Sequence, residues 1–183
     1  MSTPTVTIPG YVTGTWTIDP VHSDVSFIVR HLGVSKVRGQ FNVFSGEIVT
    51  AENPLDSKVT VTIDADSFHT RNEMRDNHVK NEEFLHVEEH PQLTFTSTGI
   101  RQDGEEFLLD GDLTIRGVTK PVTLNLEVNG FGQSPMTGGP VLGISASTEI
   151  SRRDFEVHGG AAGAMVSDKI QILIEVEATR NDA

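Results

Sequence analysis

Apolar residues recur at every second position along most of this chain. In DVSFIVRH, Val25, Phe27, Val29 and His31 share one face, while Asp24, Ser26, Ile28 and Arg30 share the other. KVRGQFNV repeats the pattern, with Val37, Gly39, Phe41 and Val43 set against Lys36, Arg38, Gln40 and Asn42. A period of two belongs to a half-buried strand, because successive strand side chains point to opposite faces. The intervening HLGVS carries a turn glycine, so the two segments are predicted to form a hairpin.

The alternation continues through Val59, Val61 and Ile63, through Leu93 and Phe95, and through Phe107, Leu109, Gly111, Leu113 and Ile115. After RGVTKP come Val122, Leu124, Leu126 and Val128, then Leu142, Ile144 and Ala146 leading to Ile150, and finally Ile170, Ile172, Ile174 and Val176. With Trp16 and Ile18 at the start, eight to ten strands are predicted in an all-β, antiparallel sandwich or barrel. One helix interrupts them. Thr70 followed by Glu73 has the spacing of a capping box, and good helix formers run to about Leu85 before Pro91 forbids continuation. Its place between strands suggests a lid or plug at one end of the sheet.

At 183 residues the chain has the length of one domain. The organisation expected is a flexible tail over 1–13, one barrel domain over 14–178 and a short tail over 179–183. NGFGQSPMTGGP and HGGAAGAM read as loops, since neither has the lysine and spacing of a phosphate-binding loop.

The net charge of −12, with 14 basic residues not gathered into any run, argues against nucleic acid or a stable insertion into membrane as partners. The absence of cysteine excludes disulfides, thiolate metal sites and Cys nucleophiles. No stretch reaches the roughly 20 apolar residues that span a bilayer, and MSTPTVTIPGYVTG lacks a basic and apolar leader, so a cytoplasmic protein is expected.

Candidate chemistry is sparse. His22 and Ser23 are adjacent, and neighbours on a strand point apart, so they are poorly placed to act as base and nucleophile. His22 and His31 differ by nine residues and face opposite sides of a regular strand, so they share a metal only across a bend. In HVEEH, His86 and His90 would share a face of a helix, but Val87 stands where a metalloprotease motif needs Glu. Solvated surface is the simpler reading there. Arg152, Arg153 and Asp154 in ISRRDFEV, and Arg75, Asp76 and His78 in NEMRDNHV, suit either a ligand's polar head or ion pairing at a rim. The apolar faces, with gaps at Gly39 and Gly111, fit a solid core and a lined cavity equally well.

Several motifs together closely resemble the YceI-like family: WTIDPVHSDVSFIVRHLGVSKVRGQF, SFHTRNEMRDNHVKNEEFLHVEEHPQLTF, LDGDLTIRGVTKPVTL, ISRRDFEV and SDKIQILIEVEA. The resemblance runs from about Gly14 to Ala178. It implies a lipocalin-like antiparallel β-barrel of about eight strands, one inserted helix and a long apolar pocket. It also implies a carrier of polyisoprenoid or isoprenoid-quinone chains or other amphiphilic lipids, with no catalytic residues, no metal and no cofactor. On that basis the walls are assigned to Phe27, Val29, Val37, Phe41, Val61, Ile63, Phe95, Leu113, Ile115, Leu124, Leu126, Leu142 and Ile144. Met74, Phe84 and Leu85 are expected to close one end, and His31, His78, Arg152 and Asp154 to stand at the rim or the head group.

Two departures from the family pattern stand out. Many relatives carry a secretory signal and work in the periplasm, whereas none is read in this sequence, so a periplasmic role is not expected. The family often has an acidic residue and a Tyr where this chain has His86 and His90, which sustains a metal hypothesis, and Gly where it has Glu156. The alternative reading is an enzyme or metal-dependent protein using the His/Arg/Asp cluster at the rim. A homodimer through barrel faces is also compatible with outward residues such as Ile28.

Overall fold

A computed structural model of the protein describes residues 6–181. Alternation becomes eleven strands: β1 (Gly14–Ile18), β2 (Asp24–His31), β3 (Ser35–Phe41), β4 (Phe44–Thr50), β5 (Lys58–Asp64), β6 (Phe68–His69), β7 (Gln92–Asp103), β8 (Glu106–Ile115), β9 (Val118–Gln133), β10 (Pro140–Ser151) and β11 (Lys169–Arg180). Eight of them close a ring in the order β1, β4, β5, β7, β8, β9, β10, β11, sealed by the β1–β11 pairing. All pairings are antiparallel.

On the edge away from β10, β11 serves two partners along its length. Ala178 to Arg180 pair with β1, while Gln171 to Glu175 pair with β2. The β2–β3 hairpin and the two-residue β6 therefore extend the wall beyond β1. The residues that alternate inward form two apolar clusters. One surrounds Trp16, Ile48, Leu124, Leu142 and Ala178; the other surrounds Phe68, Phe84, Leu93, Ile115 and Phe155. Trp16 is fully buried, and its indole N–H donates to Thr50 Oγ1 at 2.8 Å, which supplies the partner a buried indole needs.

Residues 6–13, expected within a flexible tail, pack against the Trp16 end. Val6 is buried, Val12 lies on the apolar cluster, and Tyr11 sets its ring edge-on to Phe131 at 5.4 Å while its hydroxyl donates to Ala51 O. Residues 1–5 of that assignment lie outside the described residues. At the other terminus Thr179 and Arg180 continue β11, and the Asn181 N–H donates to Thr15 O at 2.7 Å, so the strand outlasts the expected boundary.

The helix is shorter than the sequence pattern predicts. α1 spans Glu73–Lys80, and its N-cap is Asn72, whose side chain accepts from the Arg75 N–H at 2.9 Å. Thr70 instead donates through its hydroxyl to buried Asp76. At the far end the Asn81 side chain accepts from the Glu83 N–H, a local bond that competes with helix continuation. Phe84 and Leu85 thus reach the core from a turn, not from a helix face.

Candidate functional site

The inward faces do not meet at the barrel axis. They enclose a cavity of about 920 Å³, at the upper end of the usual range for small-ligand pockets. Its deep walls are Ile18, Ile48, Leu109, Leu126, Ile144 and Val176 from the cluster beside Trp16. Its exposed lining residues, Ser35, Asn72, Met74, Arg75 and Met165, sit at the α1 end, which is therefore the mouth.

Of the residues assigned from sequence, Phe27, Val29, His31, Val37, Phe41, Val61, Ile63, Met74, His78, Phe84, Leu85, Phe95, Leu113, Ile115, Leu124, Leu126, Ile144 and Arg152 line this space. Leu142 does not. It packs into the Trp16 cluster beyond the cavity floor, because β10 continues past it in that direction. Asp154 does not either; it is exposed on the 3-10 turn Arg152–Phe155, whose buried residues are Arg152 and Phe155. Met74 is 84% exposed, so it edges the mouth without closing it. The parity rule could have found further lining at Val122, Ile150, Ile170, Ile172 and Ile174, which belong to strands already recognised. It could not have found Ala162, Met165 and Val166, which come from the Gly-rich loop.

Gly39 and Gly111 are not gaps. A β-carbon at either would collide with the ring of Phe27 or Phe95 respectively, so aromatic side chains already fill those places.

Polar groups are confined to a few sites. Arg152 is only 3% exposed, and all five of its N–H donors are engaged: Nε on Ser167 O, Nη1 on Val157 O and His158 O, Nη2 on Gly163 O and Val166 O. Burial pulls its pKa below the ordinary arginine value, with Arg153 adding to the effect and Asp168 opposing it. This guanidinium ties down the Gly-rich loop and has no donor left for a head group. At the mouth Arg75 spends Nε and one Nη2 bond on Thr70, both at 2.7 Å, and His78 Nε2 meets Glu83 at 2.8 Å. No Asp or Glu is among the described lining residues.

The elements of a reaction centre do not converge. His22 bonds Asp19 at 2.7 Å and lies 3.2 Å from Glu177, whereas the Ser23 hydroxyl turns to the Glu177 backbone. His31 lies at the opposite end of β2 and lines the mouth, and Asp154 is on a separate turn. Two groups could accept a divalent ion by geometry, His86 with Glu89 and His90, and Asp19 with His22 and Glu177, their ligand atoms lying within 4.8 Å of one another. The first is a turn and not the helical pair that the i, i+4 spacing suggests. His86 has a left-handed φ of 51°, and the His90 N–H closes on His86 O at 2.9 Å. No helix among the described residues is long and apolar enough to cross a membrane.

A family model described as a YceI-like domain matches residues 16–178. Protein YceI of Escherichia coli O157:H7 is 39% identical over 160 residues, covering 87% of this chain and 82% of that protein. Among solved structures, BcnA of Burkholderia cenocepacia superposes with a TM-score of 0.79 at 25% identity, covering 88% of this chain and 99% of that one. A polyisoprenoid binding domain from Saccharophagus degradans, implicated in plant cell wall breakdown, superposes at 0.73 with 16% identity over 93% of this chain and 100% of the other.

Proposed function

The chain belongs to the YceI-like family, and from that premise we propose that it binds a long-chain isoprenoid or related amphiphilic lipid inside the barrel, as carrier, reservoir or sensor. The observation that carries this reading is the apolar cavity of about 920 Å³, open at the α1 end and floored by the Trp16 cluster. That volume lies in the range of pockets that bury most of a small ligand's surface, and leaves room for a chain of several five-carbon units. Each buried methylene contributes about 0.8 kcal/mol before the ordering of the chain is subtracted. An unsaturated prenyl chain has less freedom to lose than a saturated one and suits a narrow lumen. The description of the Saccharophagus degradans domain as polyisoprenoid-binding supports the same ligand class through a shared fold.

The test is native mass spectrometry of the purified protein, followed by denaturing extraction and incubation of stripped protein with geranylgeraniol. A discrete adduct of several hundred daltons that extracts as a prenyl chain, or stoichiometric uptake of the added alcohol, is the expected result. A protein that carries no lipid and takes up none overturns the proposal.

A further inference from the structure

Leu32 breaks two local rules at once. It sits at the tip of the β2–β3 hairpin, in a turn closed by the Val34 N–H on His31 O at 3.1 Å, and both central residues have positive φ, 53° at Leu32 and 70° at Gly33. Hairpin turns of this hand favour Asn-Gly or Asp-Gly, because a short polar side chain tolerates the left-handed region and takes water well. Leucine does neither, yet Leu32 is 62% exposed and its neighbour Val34 is 83% exposed.

The strands behind the tip carry a third cost. Arg30 stands directly opposite Lys36 in the hairpin register, and like charges in such a pair repel. Arg38 follows two residues on, and no Asp or Glu occurs between Asp24 and Glu47, in a chain whose net charge is −12. The hairpin therefore assembles a basic patch that no linear run of Lys or Arg announces. Exposed Arg71 and Arg75 carry further positive charge on the adjoining connection and helix. Of the acids on or beside α1, Asp76 is buried on Thr70 and Glu83 is paired with His78, which leaves Glu73 as the exposed acid next to Met74.

Position gives these features a common purpose. His31 and Ser35, which bracket the tip, line the cavity mouth. The Leu32 N–H donates to Met165 O at 2.8 Å, and Met165, 45% exposed, and Met74, 84% exposed, edge the same opening. Four of the seven exposed large apolar residues among those described thus surround the mouth.

We propose that the Leu32–Val34 tip and its Arg30, Lys36 and Arg38 flank dock the mouth reversibly on an anionic lipid surface, from which the chain enters the barrel. Apolar side chains seated at the headgroup boundary, combined with cations over anionic lipid, are the two terms that hold a peripheral protein at a membrane. The inference rests on the proposed lipid-binding function for its purpose, but its physical content is separable.

The experiment measures co-sedimentation with vesicles of phosphatidylcholine and phosphatidylglycerol against vesicles of phosphatidylcholine alone. The wild-type chain is compared with the double variant Leu32→Asn/Val34→Thr, whose Asn suits the turn and whose two sites lie outside the cavity lining. Expected are binding to the anionic vesicles that weakens with added salt, and a loss of about tenfold or more in the variant. Uptake of geranylgeraniol from those vesicles slows to match, while uptake from dilute ethanol is unchanged. Equal co-sedimentation of wild type and variant, or none by wild type, overturns docking. Failure of uptake from ethanol in both proteins with vesicle binding intact overturns the lipid cavity and leaves docking standing.

Discussion

The ring of Phe95 on β7 lies across Gly111 on β8, leaving no room for a β-carbon there. An ideal Cβ at Gly111 would strike the ring and come within 2.8 Å of the Thr96 carbonyl oxygen. Phe27 covers Gly39 in the same way across β2 and β3. Each glycine lets a large ring lie flat against the sheet, which shapes the wall without filling the lumen. Gly111→Ala forces both ring and backbone to move and is expected to lower stability by about 1–3 kcal/mol. Denaturant unfolding of the variant checks this, and an unchanged midpoint would mean that the ring has free space to retreat into.

Arg152 binds five carbonyl groups spread over Val157 to Ser167, and so sets the path of the loop that brings Ala162, Met165 and Val166 to the cavity. Lysine keeps the charge but offers a single nitrogen with three donors. Arg152→Lys leaves at least two of these acceptors unmet, at about 1–3 kcal/mol for each that stays buried. The expected outcome is faster amide exchange and protease cleavage within residues 156–167, ahead of any loss of the β-barrel signal. Uniform destabilisation with no local opening would contradict the assignment of Arg152 as the tie of this loop.

At the opposite end of β2, His22 joins Asp19 and Glu177. The Asp19 hydrogen bond, followed by the charges of Glu177 and Asp19, holds the imidazolium above the ordinary histidine value of 6.5. A raised folded pKa stabilises the charged form, so the contribution is complete below 6.5 and fades as pH rises through the folded value. Asp19, pushed down mainly by His22, has the opposite acid limb: its contribution is present above 3.8 and is lost as pH falls through its lowered value. The groups are open to solvent, so the effect is small. His22→Gln is expected to lower the melting temperature at pH 6 and to leave it nearly unchanged at pH 9; an identical shift at both values would sink the ion-pair account.

The barrel was legible because period-two alternation states which side of each strand is buried, and the wall residues assigned through the family resemblance carry that same parity. Boundaries were less legible. Thr70 and Glu73 have capping-box spacing, yet Asn72 caps α1 and Thr70 is bonded to Asp76, a choice made by tertiary packing. His86 and His90 have helical spacing but belong to a turn, since Asn81 has already ended the helix. Arg152 and Asp154 are two residues apart and equally polar, and nothing local says that the first is buried among carbonyls and the second exposed. Glu156, where the family often has Gly, occupies a left-handed position with φ 61°, so the departure noted in the sequence corresponds to a backbone that favours glycine. Whether inward side chains meet or stop short depends on ring closure and strand tilt, which periodicity does not contain.

The cavity itself can be tested by filling it. Ala146 on β10 lines the lumen beside Ile144 and is 9% exposed, and its cross-strand neighbours are Leu126 and Ile174. Because Ala146 lines the cavity as well as the Trp16 cluster, a phenyl ring at this position is expected to grow into the lumen, where the overpacking penalty of a solid core does not apply. Ala146→Phe is therefore expected to fold with an unchanged or higher melting temperature, since added contacts replace a void. A long chain threaded past β10 loses its path, and affinity for geranylgeraniol is expected to fall by about tenfold or more, which is about 1.4 kcal/mol. Short chains that occupy only the mouth beside Met74 and Met165 should bind as before. Titration of both chain lengths into wild type and variant reads the depth of the site directly: equal losses for short and long chains would place the ligand elsewhere than along the barrel axis.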